Sequence, residues 1–453
     1  MEEQRKQILN GNLRSLLFRF STPAIIGMLV SALYNVIDTL FVGQGVGALA
    51  IAALTIVMPI QLLMMAVGIM IGVGSASVIS RALGAKQDER ALKAFGTSIL
   101  TNLSISVFFM ILAYSFIDKL LVFFGASPDT LPYARDYMSI VLIGFISFSF
   151  VICSNNLIRA EGKPRTAMYS MVIGAVANII LDAVFIFVLD MGVRGVAIAT
   201  IISQVLSAIF ILFFFSSSRS IYSFNRKAFK YRWYLAKETI SVGFPSFLLQ
   251  VIGGVIFLIF NRVILHYGGD IYIAIMGIGL RMLSLIQMPI IGISQGFSTL
   301  VSFNYGANQY TRVKKILREA FIWTLVFAGT GFLAIMLFPG QLISIFASDP
   351  ELISKGITPL RIVVIFLPII GFQVLGGSLF QAIGKTAPAL IIILSRQLLL
   401  LIPALIILPW FFGLTGVWMS VPISDAVSVL ITSGFVIWQL KIFNKKELER
   451  SIS

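Results

Sequence analysis

Apolar residues fill this chain in long runs with few charges, interrupted by short polar segments. A helix needs about 20 apolar residues to cross the hydrocarbon layer of a bilayer. Twelve stretches meet that length: 15–41, 49–78, 94–117, 134–158, 166–189, 194–216, 237–264, 271–302, 318–339, 357–381, 387–410 and 414–440. The pattern predicts an all-α integral membrane protein of twelve transmembrane helices. Pro23, Pro59, Pro245, Pro289 and Pro368 fall inside predicted spans, where neighbouring helices tolerate proline and a kink is expected.

The polar segments alternate in charge. Connections on one side hold only Lys119, Arg194 and Lys355, whereas those on the other hold Arg81, Lys86, Arg90, Lys93, Arg159, Lys163, Arg165, Arg312, Lys314, Lys315 and Arg318. The connection after residue 216 adds Arg219, Arg226, Lys227, Lys230, Arg232 and Lys237, and the tail adds Lys441, Lys445, Lys446 and Arg450. Cationic loops stay in the cytoplasm, so both termini are expected there, in the plasma membrane. The chain divides into a cytoplasmic segment 1–14, a six-helix lobe 15–216, a basic linker 217–236, a second six-helix lobe 237–440 and a cytoplasmic tail 441–453.

A shift of 222 residues superimposes the halves. Pro23 falls on Pro245, Gly74 on Gly296, Arg90 on Arg312, Pro128 on Pro350, and Ala160, Gly162 and Lys163 on Ala382, Gly384 and Lys385. Six spans per copy keep both copies in one orientation, which predicts two bundles related by a pseudo-twofold axis along the membrane normal with a cavity between them.

Composition agrees with lipid as the main solvent. Among 453 residues, 58% are hydrophobic and only 12% charged, about half the charge of an average soluble protein. The net charge of +15 would suggest nucleic acid in a soluble chain, but here it is accounted for by the cytoplasmic loops. One cysteine, Cys153, permits no internal disulfide, and one histidine, His266, permits no multi-histidine metal site. No cofactor is implied. No phosphate-binding GxxxxGK[ST] run occurs, so any pumping must draw on an ion gradient.

Three carboxylates lie more than two residues in from the ends of these stretches, each costing about 2.5 to 3.5 kcal/mol at a helix centre. They are Asp38, Asp182 and Asp425. Snorkelling from a helix end, or neutralisation by an internal Arg, would explain any of them structurally. Asp425 has two such candidates in other spans of its half, Arg281 and Arg396, which with it form a second polar group. Asp38 shares a helix face with Ser31, Tyr34 and Asn35, and Asp182 shares one with Asn178. Thr200 on the sixth span reaches a similar depth, about 5 to 10 Å from the outer helix ends at 1.5 Å per residue. Two carboxylates, an amide oxygen and a hydroxyl are hard ligands suited to a small cation such as sodium. Neighbouring carboxylates also raise each other's proton affinity.

At these residues the chain resembles the multidrug and toxic compound extrusion family. The segments STPAIIGMLVSALYNVIDTLFVGQ (21–44), ISRALGAKQDERA (79–91), RAEGKPRTAM (159–168) and NIILDAVFIF (178–187) carry the likeness, which extends over roughly residues 10–440. The resemblance implies two lobes around a cavity and export of organic cations in exchange for sodium ions or protons. It also implies that Asp38, Asn178, Asp182 and Thr200 hold the coupling ion; Tyr34 and Asn35, on the helix face of Asp38, are candidates to support it. Another branch of the family carries coupling acids in its seventh and tenth helices. Residues 239–264 and 357–381 contain no Asp or Glu, which moves the weight to the first lobe.

The sequence is accordingly read as a monomeric transporter and not an enzyme. Its expected partners are small organic cations and the lipid bilayer. A hydrolase using two aspartates as a dyad would not require a twofold repeat of six spans. A flippase for lipid-linked precursors would share the two-bundle plan, with Arg281 and Arg396 as its phosphate-seeking groups. Gln61, Gln204, Gln250, Gln287, Gln373 and Gln381 are further candidates for a wet cavity, and GAKQDER and GANQYTR are expected to be short helix connections closed by Gly84 and Gly306.

Overall fold

A backbone in lipid must satisfy its own hydrogen bonds, and a helix does so within one segment. In the computed structural model, which describes residues 2–46, 48–222 and 229–452, the described chain is helix and turn without a strand. Arg226 and Lys227, counted above among the linker cations, lie outside the described residues.

The first half comprises α1 (Glu2–Asn10), α2 (Leu13–Gly45), α3 (Ala48–Gly84), α4 (Asp88–Ser115), α5 (Ile117–Phe123), α6 (Leu131–Ala160), α7 (Pro164–Ala183) with a π turn at Val184–Val188, and α8 (Gly192–Ser216). The second comprises α9 (Trp233–Gly268), α10 (Asp270–Gly306), α11 (Tyr310–Leu337), α12 (Pro339–Ser344), α13 (Pro350–Val363), α14 (Leu367–Ala382), α15 (Thr386–Leu394) with a π turn at Ser395–Leu401, and α16 (Ile402–Ile452). Among the described residues ten helices are long and apolar enough to span a membrane, and α13 with α14, bent by 48°, makes an eleventh. The last of the ten runs from Thr386 to Arg450 and is broken at Gly413, whose φ of 54° and ψ of −138° are not helical. It therefore supplies two spans, giving the twelve expected.

The repeat is visible in the backbone. Helices α4 and α11 begin at residues 88 and 310, α5 and α12 at 117 and 339, and α7 and α15 at 164 and 386, each 222 apart. The Ser80 hydroxyl donates to the Ala160 carbonyl at 3.4 Å, and its counterpart Ser302 to Ala382 at 3.0 Å.

Helix α3 closes with the Gln87 N–H donating to the Ala82 carbonyl at 2.8 Å, and α10 with Gln309 donating to Asn304 at 2.8 Å. That pattern requires one left-handed residue just past the helix. It falls on Lys86 (φ 59°) and Asn308 (φ 56°), so the expectation that Gly84 and Gly306 close these helices is corrected. Both glycines remain helical, and the left-handed position lies two residues beyond each. The prolines expected to kink their spans lie in two settings. Pro23, Pro59, Pro245 and Pro289 sit inside unbroken helices, whereas Pro368 directly follows the bend between α13 and α14.

Two compact units emerge, the first of Met1–Lys6 and Ile26–Gln250, the second of Gln7–Ile25 and Val251–Ser453. In the first, α6 packs on α3 and α8 around a core that includes Val57, Val67, Met138, Phe145 and Val196. The opening of α9 belongs to this unit and crosses α3 closely, because a Cβ on Gly243 would run into the Met70 carbonyl and one on Gly74 into the Thr239 carbonyl. In the second unit α11 packs on α10 and α14, and two cores form around Leu360 and Leu405. There the opening of α2 crosses α10 at the equivalent places, Gly292 against Ile25 and Gly296 against Ser21.

Candidate functional site

Asp38 and Asp182 come from α2 and α7 of the first unit. A Cβ on Gly27 would meet the Met171 sulfur at 2.8 Å, so the two helices touch at that level. Farther along both, the rings of Phe41 and Phe187 meet edge to face at 5.4 Å, so the helices run parallel and stay in contact. Eleven residues past Gly27 and Met171, about three turns and hence the same faces, come Asp38 and Asp182. Asp182 lies within range of the Asp38 charge, and Tyr34 and Tyr137 lie within range of both acids.

Helix α8 runs antiparallel to α7. The Ser207 hydroxyl donates to the Ser170 carbonyl at 3.0 Å, and a Cβ on Gly174 would lie 3.7 Å from the Ser203 carbonyl. One further turn along each helix brings Asn178 level with Thr200. The Thr200 hydroxyl donates to the Val196 carbonyl at 3.0 Å, which leaves its lone pairs available.

The polar atoms of this group are buried without protein partners. Asp182 is fully buried and neither of its carboxylate oxygens has a hydrogen-bond donor; Asn178, 3% exposed, has partners for neither its oxygen nor its nitrogen. One oxygen of the half-buried Asp38 is in the same condition. Leaving such groups unsatisfied costs about 1 to 3 kcal/mol each, and more for a charge. A cation or proton answers the four orphan oxygens, while the Asn178 amide nitrogen calls for an acceptor, a water or a carboxylate oxygen. Among the described residues no group of three or more His, Cys, Asp or Glu side chains is gathered to hold a resident metal. Two carboxylates with neutral oxygens are hard donors of the kind that suits a small cation.

Of the supporting residues, Tyr34 is half-buried beside the acids, whereas Asn35 is exposed and donates to the Ser31 carbonyl at 2.8 Å. The sequence reading missed Tyr137 on α6, which is 4% exposed and accepts a hydrogen bond from Gln61 on α3 at 3.2 Å. No periodic signal separates it from the other tyrosines, since its place depends on how α6 packs within the first unit. His266 lies exposed on the last turn of α9.

In the second unit Asp425 on α16 pairs with Arg396, whose Nε lies 2.6 Å from Oδ1; their side chains are 18% (Arg396) and 4% (Asp425) exposed. Arg396 stands on the π turn after α15, and Asp182 lies two residues before the start of the π turn after α7. The same span of each half thus carries its charged residue at a locally widened helix, a feature frequent at functional sites. Arg281 is exposed on α10, and the Asp425 pair forms without it.

Residues 23–184 and again 245–407 match the MatE family, two blocks whose starts are themselves 222 residues apart. The chain belongs to the MatE family. It is 30% identical over 427 residues to the multidrug export protein MepA of Staphylococcus haemolyticus, an overlap covering 94% of this chain and 93% of that protein. A crystal structure of a MATE protein in complex with MaL6 is similar over 97% of this chain and 99% of that one, at 27% identity and a TM-score of 0.92. An outward-facing multidrug resistance MATE family transporter of the MOP superfamily is similar at the same identity and TM-score, over 97% and 98% of the two chains. As a MatE-family chain with this many apolar helices, it is a multi-pass membrane protein of a transporter family.

Proposed function

We propose that this MatE-family chain is a secondary active multidrug efflux antiporter that exports cationic amphiphilic compounds in exchange for sodium ions or protons. The reading is carried by one observation: the oxygens of Asp182 and Asn178, with one of Asp38, are buried without protein partners. An entering sodium ion would take those oxygens together with the Thr200 hydroxyl, and an entering proton would neutralise one carboxylate. Either relieves the repulsion between Asp38 and Asp182 and alters how α2 packs on α7. In the antiport cycle, loss of that charge favours release of a cationic substrate to the outside, and departure of the ion restores it.

The relatives support the exporter part, since the staphylococcal protein is named for multidrug export and one similar structure holds a bound compound. The cycle is placed in the plasma membrane with both termini cytoplasmic, in a monomer whose lobes span 15–216 and 237–440. The flippase alternative needs cations for phosphate, and its better candidate, Arg396, is already neutralised by Asp425.

Purified protein titrated with tetraphenylphosphonium tests the reading. Sodium is expected to weaken that binding in the parent and to have no effect in Asp182→Asn. Absence of tetraphenylphosphonium binding together with binding of a polyprenyl phosphate would replace the antiporter by the flippase.

A further inference from the structure

The segment RAEGKPRTAM contains a buried acid that the coupling site does not use. Glu161, in the loop between α6 and α7, is fully buried. Its carboxylate accepts from the Ser220 hydroxyl at 3.0 Å and from the Ile221 N–H at 3.1 Å, and the Lys163 ammonium lies 3.2 Å away. The donors belong to the chain leaving α8, the start of the connection between the two halves. The next residue, Tyr222, is 1% exposed, stacks on Phe95 with ring centroids 4.4 Å apart, and senses the Glu161 charge. Phe229, on the far side of the connection, meets the edge of the same Phe95 ring at 6.3 Å. Farther on, Glu238 at the start of α9 pairs with Arg81 at 3.1 Å and Arg90 at 2.9 Å.

The internal repeat supplies the control. The second-half loop keeps Ala382, Gly384 and Lys385 but carries Ile383 where the first half has Glu161. The two lysines do the same work, Lys163 lying 5.3 Å from the Phe214 ring and Lys385 4.7 Å from the Trp438 ring. The acid occurs in the half whose last span, α8, ends at Ser216 and leads into the connection, whereas α16 continues as helix to Ile452. Burial pushes the Glu161 carboxyl above the usual carboxylate range, against the pull of Lys163, Ile221 and Ser220. A group so costly to bury as a charge needs those donors in place.

We propose that Glu161 and Phe95 form a docking site for the connection between the halves, with Glu161 as the positioning residue that holds Ser217–Tyr222 on the first bundle and so presents α9 to Arg81 and Arg90. The inference is independent of which ion drives transport.

Ile221→Cys in a Cys153→Ala background keeps the Ile221 backbone N–H and reports on docking through its rate of maleimide labelling. Glu161→Ile, which copies the second half, is expected to speed labelling about tenfold or more, the scale of losing hydrogen bonds to a charged group. Glu161→Gln, which keeps one acceptor oxygen, should fall between. Thermal stability of the two Glu161 variants is expected to stay near the parent's, which separates local undocking from general loosening. A labelling rate in Glu161→Ile within about twofold of the parent would overturn the proposal. Should that variant fail to fold, Ser220→Ala removes a donor from the other side; it is expected to speed labelling, and an unchanged rate there would overturn the proposal equally.

Discussion

At the scale of single residues, charge and shape can be separated. Asp38→Asn and Asp182→Asn keep the side-chain volume and remove the charge, so each is expected to abolish drug resistance in cells while the protein still reaches the membrane. Asn178→Ala and Thr200→Ala withdraw neutral oxygens and should weaken sodium binding less than Asp182→Asn does, as sodium isotherms at high pH would measure. Resistance retained in both Asp variants at normal expression would remove these acids from the mechanism. Outside the membrane, Lys86 holds a left-handed backbone (φ 59°) that favours glycine, and its side chain is exposed. Lys86→Gly is therefore expected to raise stability by about 1 kcal/mol, read as a higher melting temperature. Asp38, Asn178 and Asp182 were legible as candidates because helical spacing puts polar groups on a common face, and Thr200 because its depth matches theirs. Tyr137 was not, since it reaches the acids through the packing of α6, which leaves no mark in its own sequence. Nor could spacing choose between Arg281 and Arg396 for Asp425, because spacing along one helix does not say which other helix packs against it, and the π turn at Ser395–Leu401 that carries Arg396 leaves no mark in the apolar pattern.

At the scale of elements, the Arg396 and Asp425 pair ties α16 to the π turn after α15. Breaking a buried pair from one side leaves the other charge uncompensated, at about 3 to 5 kcal/mol. Asp425→Asn should thus lower thermal stability, and Asp425→Leu combined with Arg396→Met should recover much of the loss. A stable but transport-dead Asp425→Asn protein would instead give the second unit a part in coupling. The crossing of α9 on α3 makes a parallel demand, for Gly243 has no room for a side chain against Met70. Gly243→Val is expected to reduce the yield of folded protein. Hydropathy located every span, yet α3 runs to Gly84 where the apolar stretch ends near residue 78. Apolar content marks only the part of a helix in hydrocarbon, whereas backbone hydrogen bonds carry it into the headgroup layer.

For the whole molecule, the repeat, the span count and the family were all readable from one chain, because lipid imposes a single rule on every span. The exchange of helix openings between the units was not readable. Both the opening of α2 and that of α9 have the same apolar character as the rest of their helices, so only small residues such as Gly74, Gly243 and Gly296 hint at close crossings. The central claim is that an ion taken up by Asp38 and Asp182 drives export. Reconstituted vesicles loaded with tetraphenylphosphonium or another lipophilic cation test it most directly, with sodium or proton gradients imposed one at a time at a clamped membrane potential. The account predicts substrate movement against its own gradient under at least one of these ions in the parent, and none under either in the Asp38→Asn and Asp182→Asn double variant, although that variant remains folded. Gradient-driven export persisting in the double variant would contradict it.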